Sequence, residues 1–364
     1  MTLMNPMRRL VALAILSAAL GACSLPSALE SSSAAPAALP LNVGGRLIPD
    51  GSGGATFGWP GVYFEAGFRG TAVRVVFDAP TDHLRLLVDG SERMIFRAPG
   101  RVDHLVEGLS PGIHVVRLEK MTESQAGGSR FGGFFLAGRG TPFPAPARQR
   151  RIEFIGDSYT VGYGNTHAGR ECTRAQVHDT TDTQQAFGPL AARRLNADYR
   201  VIAYSGFGIV RNYNGGQPGL SLPAIYSRPK PDEDRTLAEP EWLPQAVVIN
   251  LGTNDFSTPL RAGERWSTAE ALREDWRRTY VRFVQELQAR DPQARFILMG
   301  SDMFFAEVEQ VAARLNAAAP GRVTTLRFGD LDLQGCDYHP SLADHRRLSI
   351  LVEEAIGSAL QPAR

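Results

Sequence analysis

Along residues 41–140, apolar positions come in short runs broken by Gly, Pro and Asp: Tyr63 to Ala66, Ala72 to Phe77, Leu84 to Val88, Met94 to Phe96, Ile113 to Leu118 and Phe134 to Ala137. Several alternate with polar residues, the period of a strand with one buried face. Asp89-Gly90 stands between two of them, where a two-residue hairpin turn belongs. No long helical period interrupts the runs, so the segment predicts a small all-β sandwich. Past residue 148 the pattern changes. Strand-length apolar runs at Ile152 to Ile155, Arg200 to Tyr204, Ala246 to Leu251, Arg295 to Met299 and Val323 to Leu326 alternate with helical periods. The helices begin near Thr183, Thr268 and Phe304, and a last one runs from about Leu342 to Leu360. Such alternation predicts an α/β domain, a parallel sheet with helices on its faces. Ser267 with Glu270 reads as a capping box ahead of a long amphipathic run.

Two stretches carry no core pattern. Residues 23–40 are rich in Ser, Ala and Pro and read as a flexible tether, and residues 141–147 (TPFPAPA) read as a stiff linker. The division that follows is a sandwich over 41–140 and a second domain over 148–364. Residues 1–22 are a targeting segment. Arg8 and Arg9 precede an apolar run from Leu10 to Leu20 that is too short to span a bilayer. The closing Leu20-Gly21-Ala22-Cys23 looks like a bacterial lipobox, with cleavage before Cys23 and lipid on its thiol; an ordinary secretory signal with an incidental cysteine is the plainer reading. Ser24 after the cysteine, by resemblance to known lipoproteins, favours the outer membrane, on its periplasmic or its surface side.

Composition narrows the partners. At 43% hydrophobic and 21% charged, the chain has apolar material for a sizeable core and is not disordered throughout. Its formal charge is +1, and the two arginines of the targeting segment leave the remainder at −1. No basic patch or aromatic nucleic-acid motif stands out, so nucleic acid is a poor candidate and a neutral polymer a better one. With Cys23 given to lipid, Cys172 and Cys336 remain in an oxidising compartment, where they form one disulfide or stay as two thiols. No CxxC or HxxxH spacing suggests a metal.

Four short motifs sit at predicted strand ends, where an open α/β sheet binds its ligands. Gly156-Asp157-Ser158 follows the first strand and offers a serine hydroxyl, unless Ser158 is only a helix N-cap. Ser205-Gly206-Phe207-Gly208 follows the second, and Gly252-Thr253-Asn254-Asp255 the third. Gly206 can expose a backbone N–H and Asn254 a side-chain amide, the donors that an acyl-transfer site aims at a developing oxyanion. Asp337-Tyr338-His339-Pro340 precedes the last helix and supplies an imidazole, the usual base for a serine hydroxyl. Singly, each of these residues is more often a turn, cap or surface residue.

In this order the four motifs resemble the blocks of the SGNH (GDSL) hydrolases. The preceding sandwich, with the runs GDSYTVGYGN and GCDYHPSLADH, is similar to carbohydrate esterase family 2 over about residues 41–360. The resemblance implies an SGNH-type parallel sheet behind a jelly-roll-like sandwich, and an O-acetylesterase acting on acetylated carbohydrate such as xylan or glucomannan. It implies Ser158 as nucleophile, His339 as general base and then acid, and Ser158, Gly206 and Asn254 as oxyanion donors. It needs no cofactor, and a monomer is expected. Asp337 is the expected orienting acid, although Asp-x-His replaces the Asp-x-x-His of typical SGNH enzymes. A backbone carbonyl could hold the ring instead, and Asp330 and Asp332 are further candidates. Phe256, after the third block, leads the candidates for stacking on sugar, ahead of Phe207, Tyr213 and Trp266. The competing readings are an SGNH lipase or thioesterase, and a non-catalytic glycan-binding lipoprotein.

Overall fold

Among the described residues, eleven short strands build the N-terminal part: β1 (Leu41–Gly44), β2 (Ile48–Pro49), β3 (Ala55–Phe57), β4 (Tyr63–Gly70), β5 (Val73–Ala79), β6 (His83–Val88), β7 (Ser91–Arg97), β8 (Gly100–Val106), β9 (Gly112–Lys120), β10 (Ser129–Leu136) and β11 (Thr141–Phe143). The structure is a computed structural model that describes residues 38–239 and 241–361; Cys23 and the targeting segment lie outside the described residues. One antiparallel sheet runs β1-β4-β9-β6-β7, with β11 also on β4, and the other runs β2-β3-β10-β5-β8. Alternation explains the packing. On β5 the residues Val73, Val75, Phe77 and Ala79 are buried and those between them are not. Phe64 and Phe131 stack between the sheets with ring centroids 4.0 Å apart. Between β6 and β7, Asp89 (φ 53°) and Gly90 (φ 75°) form the two-residue turn their sequence predicts.

The second part carries β12 (Arg150–Gly156), β13 (Ala197–Ala203), β14 (Ala246–Asn250), β15 (Arg295–Ser301) and β16 (Val323–Phe328) in one parallel sheet, order β13-β12-β14-β15-β16. Its helices are α1 (Ser158–Val161), α2 (Arg174–Thr180), α3 (Phe187–Arg194), α4 (Leu222–Ile225), α5 (Thr253–Phe256), α6 (Ala269–Arg290), α7 (Phe305–Ala318) and α8 (Leu342–Ala359). β13 and β14 are buried along their whole length, as strands covered on two sides are, while β16 at the sheet edge is partly exposed. Phe154, Val201 and Val248 face one core with Phe187 of α3 and Val352 of α8. Ile155, Ile202 and Ile249 face the other with Trp276 of α6 and Val308 of α7.

Three expectations change. The 141–147 stretch is not a free linker, because β11 pairs with β4. Gly67 makes room for it, since a Cβ there would lie 2.6 Å from the Pro144 carbonyl. The tether ends sooner than its composition suggests, since Leu39 is buried and its N–H donates to Phe134 O at 2.9 Å. The cap of α6 is Thr268, whose hydroxyl accepts the Ala271 N–H at 3.1 Å, so the box read at Ser267 and Glu270 is one residue early.

Sandwich and sheet belong to one compact unit. Tyr63 donates its hydroxyl to Asp198 at 2.7 Å, Trp59 its indole N–H to Arg228 O at 3.0 Å, and Arg46 its Nε to Glu239 at 2.9 Å.

Candidate active site

The turn after β12 needs the smallest residue, because a Cβ on Gly156 would sit 1.9 Å from Thr160 Oγ1. Asp157 then caps α1, its carboxylate accepting the Tyr159 N–H at 3.1 Å. Ser158 is therefore the first helical residue and not the cap. Its backbone N–H meets no acceptor among the described residues, and its hydroxyl is free to react. Burial pushes the Asp157 carboxyl up to about 7, with the Asp255 charge adding to it.

His339 Nε2 lies 2.8 Å from Ser158 Oγ, although 181 residues separate the two in the chain. The other ring nitrogen, Nδ1, faces the backbone carbonyls of Cys336 at 2.9 Å and Asp337 at 3.1 Å. Two acceptors there place the proton on Nδ1 and leave the Nε2 lone pair for the serine. Tyr163 covers the imidazole at 4.3 Å between centroids, and Tyr159 approaches edge-on at 5.5 Å. That burial lowers the imidazole pKa from its ordinary 6.5, against the opposite pull of the two carbonyls.

Asp337 does not orient the ring through its carboxylate. The residue is left-handed (φ 50°), as is Tyr338 (φ 61°). With one residue fewer before His339, its carboxylate turns away and accepts the Tyr163 hydroxyl at 3.0 Å. Asp332 is taken by the Gln334 N–H at 3.1 Å, and Asp330 offers its backbone carbonyl to Arg347.

The other two blocks reach the same rim. Gly206 has φ 85°, open space where a Cβ would stand, and an N–H with no acceptor among the described residues. Asn254 lies on α5, donates Nδ2 to Phe207 O at 2.8 Å, and stands 3.4 Å from Asp157 Oδ2. Asp255 accepts the N–H groups of Ile209, Val210 and Arg211 at 3.0, 2.9 and 2.9 Å, which ties the Gly206 loop to α5. Phe256 is half-buried. Its ring packs 5.4 Å from Trp276 and 6.1 Å from Phe304, with the Arg273 guanidinium 4.8 Å above it.

Cys172 and Cys336 are joined in a disulfide, with Cα atoms 5.5 Å apart. It fastens the loop after α1 to the turn that carries His339. Gly164 admits the bridge, since a Cβ there would lie 2.3 Å from Cys336 Cβ. Sequence reasoning missed Arg170, which donates to Leu333 O at 2.9 Å and Asp332 O at 2.7 Å. It also missed Asp344, which accepts the N–H groups of Asp332, Leu333 and Ser341, each at 3.0 Å. Only Asp344 had a signal, the Ser341-x-x-Asp344 capping pattern.

Two family models match the chain: "Carbohydrate esterase 2 N-terminal" over residues 43–146 and "GDSL-like Lipase/Acylhydrolase family" over residues 154–349. An acetylxylan esterase / glucomannan deacetylase of Cellvibrio japonicus is 45% identical over 322 residues, which cover 86% of this chain and 89% of that one. The cellulase/esterase CelE of Acetivibrio thermocellus is 31% identical over 86% of this chain, though over only 39% of its own length. Among solved structures, a carbohydrate esterase described as having divergent catalytic and non-catalytic binding functions superimposes with a TM-score of 0.83 at 42% identity, covering 88% of this chain and 98% of that one. A family two carbohydrate esterase from Clostridium thermocellum, in complex with cellohexaose, does so with a TM-score of 0.77 at 29% identity, covering 88% and 99%. With both halves matched and a relative this similar along most of its length, the chain belongs to carbohydrate esterase family 2, as a GDSL-like hydrolase carrying that family's N-terminal domain.

Proposed function

We propose that this carbohydrate esterase removes O-acetyl groups from xylan- or glucomannan-type polysaccharide by two-step acyl transfer through Ser158. The observation that carries the reading is the 2.8 Å contact between Ser158 Oγ and His339 Nε2, with Nδ1 anchored by carbonyls. Neutral His339 takes the hydroxyl proton as Oγ bonds to the acetyl carbon, and the carbonyl oxygen becomes an oxyanion. The N–H groups of Ser158 and Gly206 and the Asn254 amide are the donors to it. The imidazolium then protonates the departing sugar oxygen. Water, deprotonated by the same nitrogen, attacks the acetyl-enzyme and releases acetate and free serine. Ser158 and His339 act as a dyad in which backbone carbonyls do the work a carboxylate does in a triad. Proton transfer and acyl transfer of this kind require no cofactor.

The test follows acetate release by NMR from defined acetylated xylo- and manno-oligosaccharides, with wild type beside Ser158→Ala. Release by the wild type and none by the variant is expected. Equal inertness of both, or a strong preference for long acyl chains over acetyl, overturns the reading.

A second proposal concerns location: the exported chain is held at the outer membrane by lipid on Cys23, supported by the Leu20-Gly21-Ala22-Cys23 pattern and Ser24. Among the described residues no helix is long and apolar enough to cross a membrane. Cys23→Ser is expected to abolish lipid labelling and release the esterase from membranes. Membrane retention of that variant contradicts the anchor.

A further inference from the structure

A peptide N–H stabilises an oxyanion only if it points where the charge develops, and glycine at φ 85° has the freedom to point elsewhere. Ser205, the residue before it, is held from the sandwich side at both of its peptides. Glu123, three residues past the end of β9, accepts the Ser205 N–H on Oε1 at 2.8 Å. Gln125 of the same loop donates to Ser205 O at 3.4 Å, on the face of the peptide opposite the Gly206 N–H. Beyond it, Gly206 O accepts the Tyr213 N–H at 2.8 Å.

Glu123 is itself anchored by a device with no part in the chemistry above. Lys120, wholly buried, donates to Asp82 Oδ1 at 2.5 Å, Thr122 O at 2.9 Å and Ser124 Oγ at 2.8 Å. The two residues flanking Glu123 are thus fixed by one ammonium. Ser129 adds a hydroxyl to Asp82 Oδ2 at 2.7 Å. From the hydrolase side, Gln184 Nε2 donates to Lys120 O at 3.0 Å and Thr183 N to Met121 O at 2.9 Å. A buried ion pair satisfied at this many points is rigid, and costly to disturb.

We propose that Glu123, contributed by the N-terminal sandwich, is a positioning residue of the esterase: its grip on the Ser205 N–H aims the Gly206 N–H at the oxyanion, so the sandwich is part of the catalytic apparatus. This rests on the reading of Gly206 given under the proposed function. Burial raises the Glu123 pKa, but a carboxylate and a carboxylic acid both present an accepting oxygen to the Ser205 N–H. A carboxamide does so too, and that makes the role separable from charge.

Glu123→Ala and Glu123→Gln are compared with wild type for turnover of an activated acetate ester, for trapping of Ser158 by a fluorophosphonate, and for Tm. Glu123→Ala is expected to lower kcat and the trapping rate about 10- to 100-fold, with KM and Tm close to wild type. Glu123→Gln is expected to keep the rate within about threefold, because the accepted hydrogen bond survives. Wild-type rates in Glu123→Ala, equal losses in both variants, or a loss that tracks Tm overturn the proposal. If Glu123→Ala does not fold, Glu123→Asp, which draws the carboxylate back by one methylene, is read by the same criteria. A wild type that neither hydrolyses nor is trapped refutes the acyl-transfer reading instead.

Discussion

Proton transfer from Ser158 depends on the resting state of one imidazole. Covered by Tyr159 and Tyr163, His339 has its pKa depressed from 6.5 by burial, so it is neutral and able to accept a proton at lower pH than a free histidine. The rate of acetyl release is expected to rise with pH through a limb below 6.5 and to be flat at neutrality, as read from kcat/KM against pH. A limb above neutrality contradicts the buried geometry. Asp337 gives a sharper test. Its carboxylate bonds to Tyr163 and not to the imidazole, so Asp337→Asn is expected to change kcat by less than about threefold, while His339→Ala loses about 10⁴-fold. Asparagine tolerates the left-handed backbone and isolates the loss of charge. A Asp337→Asn variant as impaired as His339→Ala would mean that the carboxylate swings to the ring. The meeting of Ser158, His339, Gly206 and Asn254 at one rim was legible because block order and strand ends constrain where they sit. The direction of the Asp337 side chain was legible only in part: the Asp-x-His spacing opened the backbone-carbonyl alternative, but two successive left-handed residues decide it, and the letters do not announce those. The packing of Phe256 was not legible either: a residue after a site motif can turn inward, and here Trp276 and Phe304 lie against its ring.

Between the elements, the turn holding His339 is short, irregular and secured from outside. The Cys172–Cys336 bridge, the Asp337 N–H to Arg170 O bond at 2.7 Å, and the Asp344 carboxylate together fix a segment with little core of its own. A Cys172→Ser/Cys336→Ser double variant is expected to lose about 3 kcal/mol of stability and a larger share of kcat than of substrate affinity. Thermal melts and steady-state kinetics check this, and unchanged values in both would show the bridge to be dispensable. Strands and helices themselves were largely readable. The period of the apolar residues set β5 and β12 close to their observed bounds and α6 close to its observed start. The short β1 to β3 and the edge strand β8 fell outside the runs read from the sequence, and so did β11, since prolines suggested a linker while three residues beside two glycines of β4 were enough for pairing.

At the scale of the molecule, the change of period near residue 148 was legible as two kinds of fold, but their docking was not. It depends on single polar side chains far apart in sequence, such as Asn42 and Tyr63 meeting Asp198 at 2.9 and 2.7 Å. Residues 148–364 expressed alone are therefore expected to be insoluble or inactive. Without the sandwich, Asp182 loses Arg85, Asp198 loses Asn42 and Tyr63, and Tyr199 loses the Tyr63 ring packed 4.9 Å from it, so a buried apolar and polar seam is laid open to water. A soluble, fully active fragment from residue 148 onward, judged by gel filtration and ester turnover, would contradict this. The shared seam also bears on how the chain comes into being. Trp59 and Tyr63 leave the ribosome well before Asp198 and Arg228, the groups that satisfy them, have been synthesised. The nascent sandwich thus waits with sticky aromatic surface bare, so its early life calls for a chaperone's shelter.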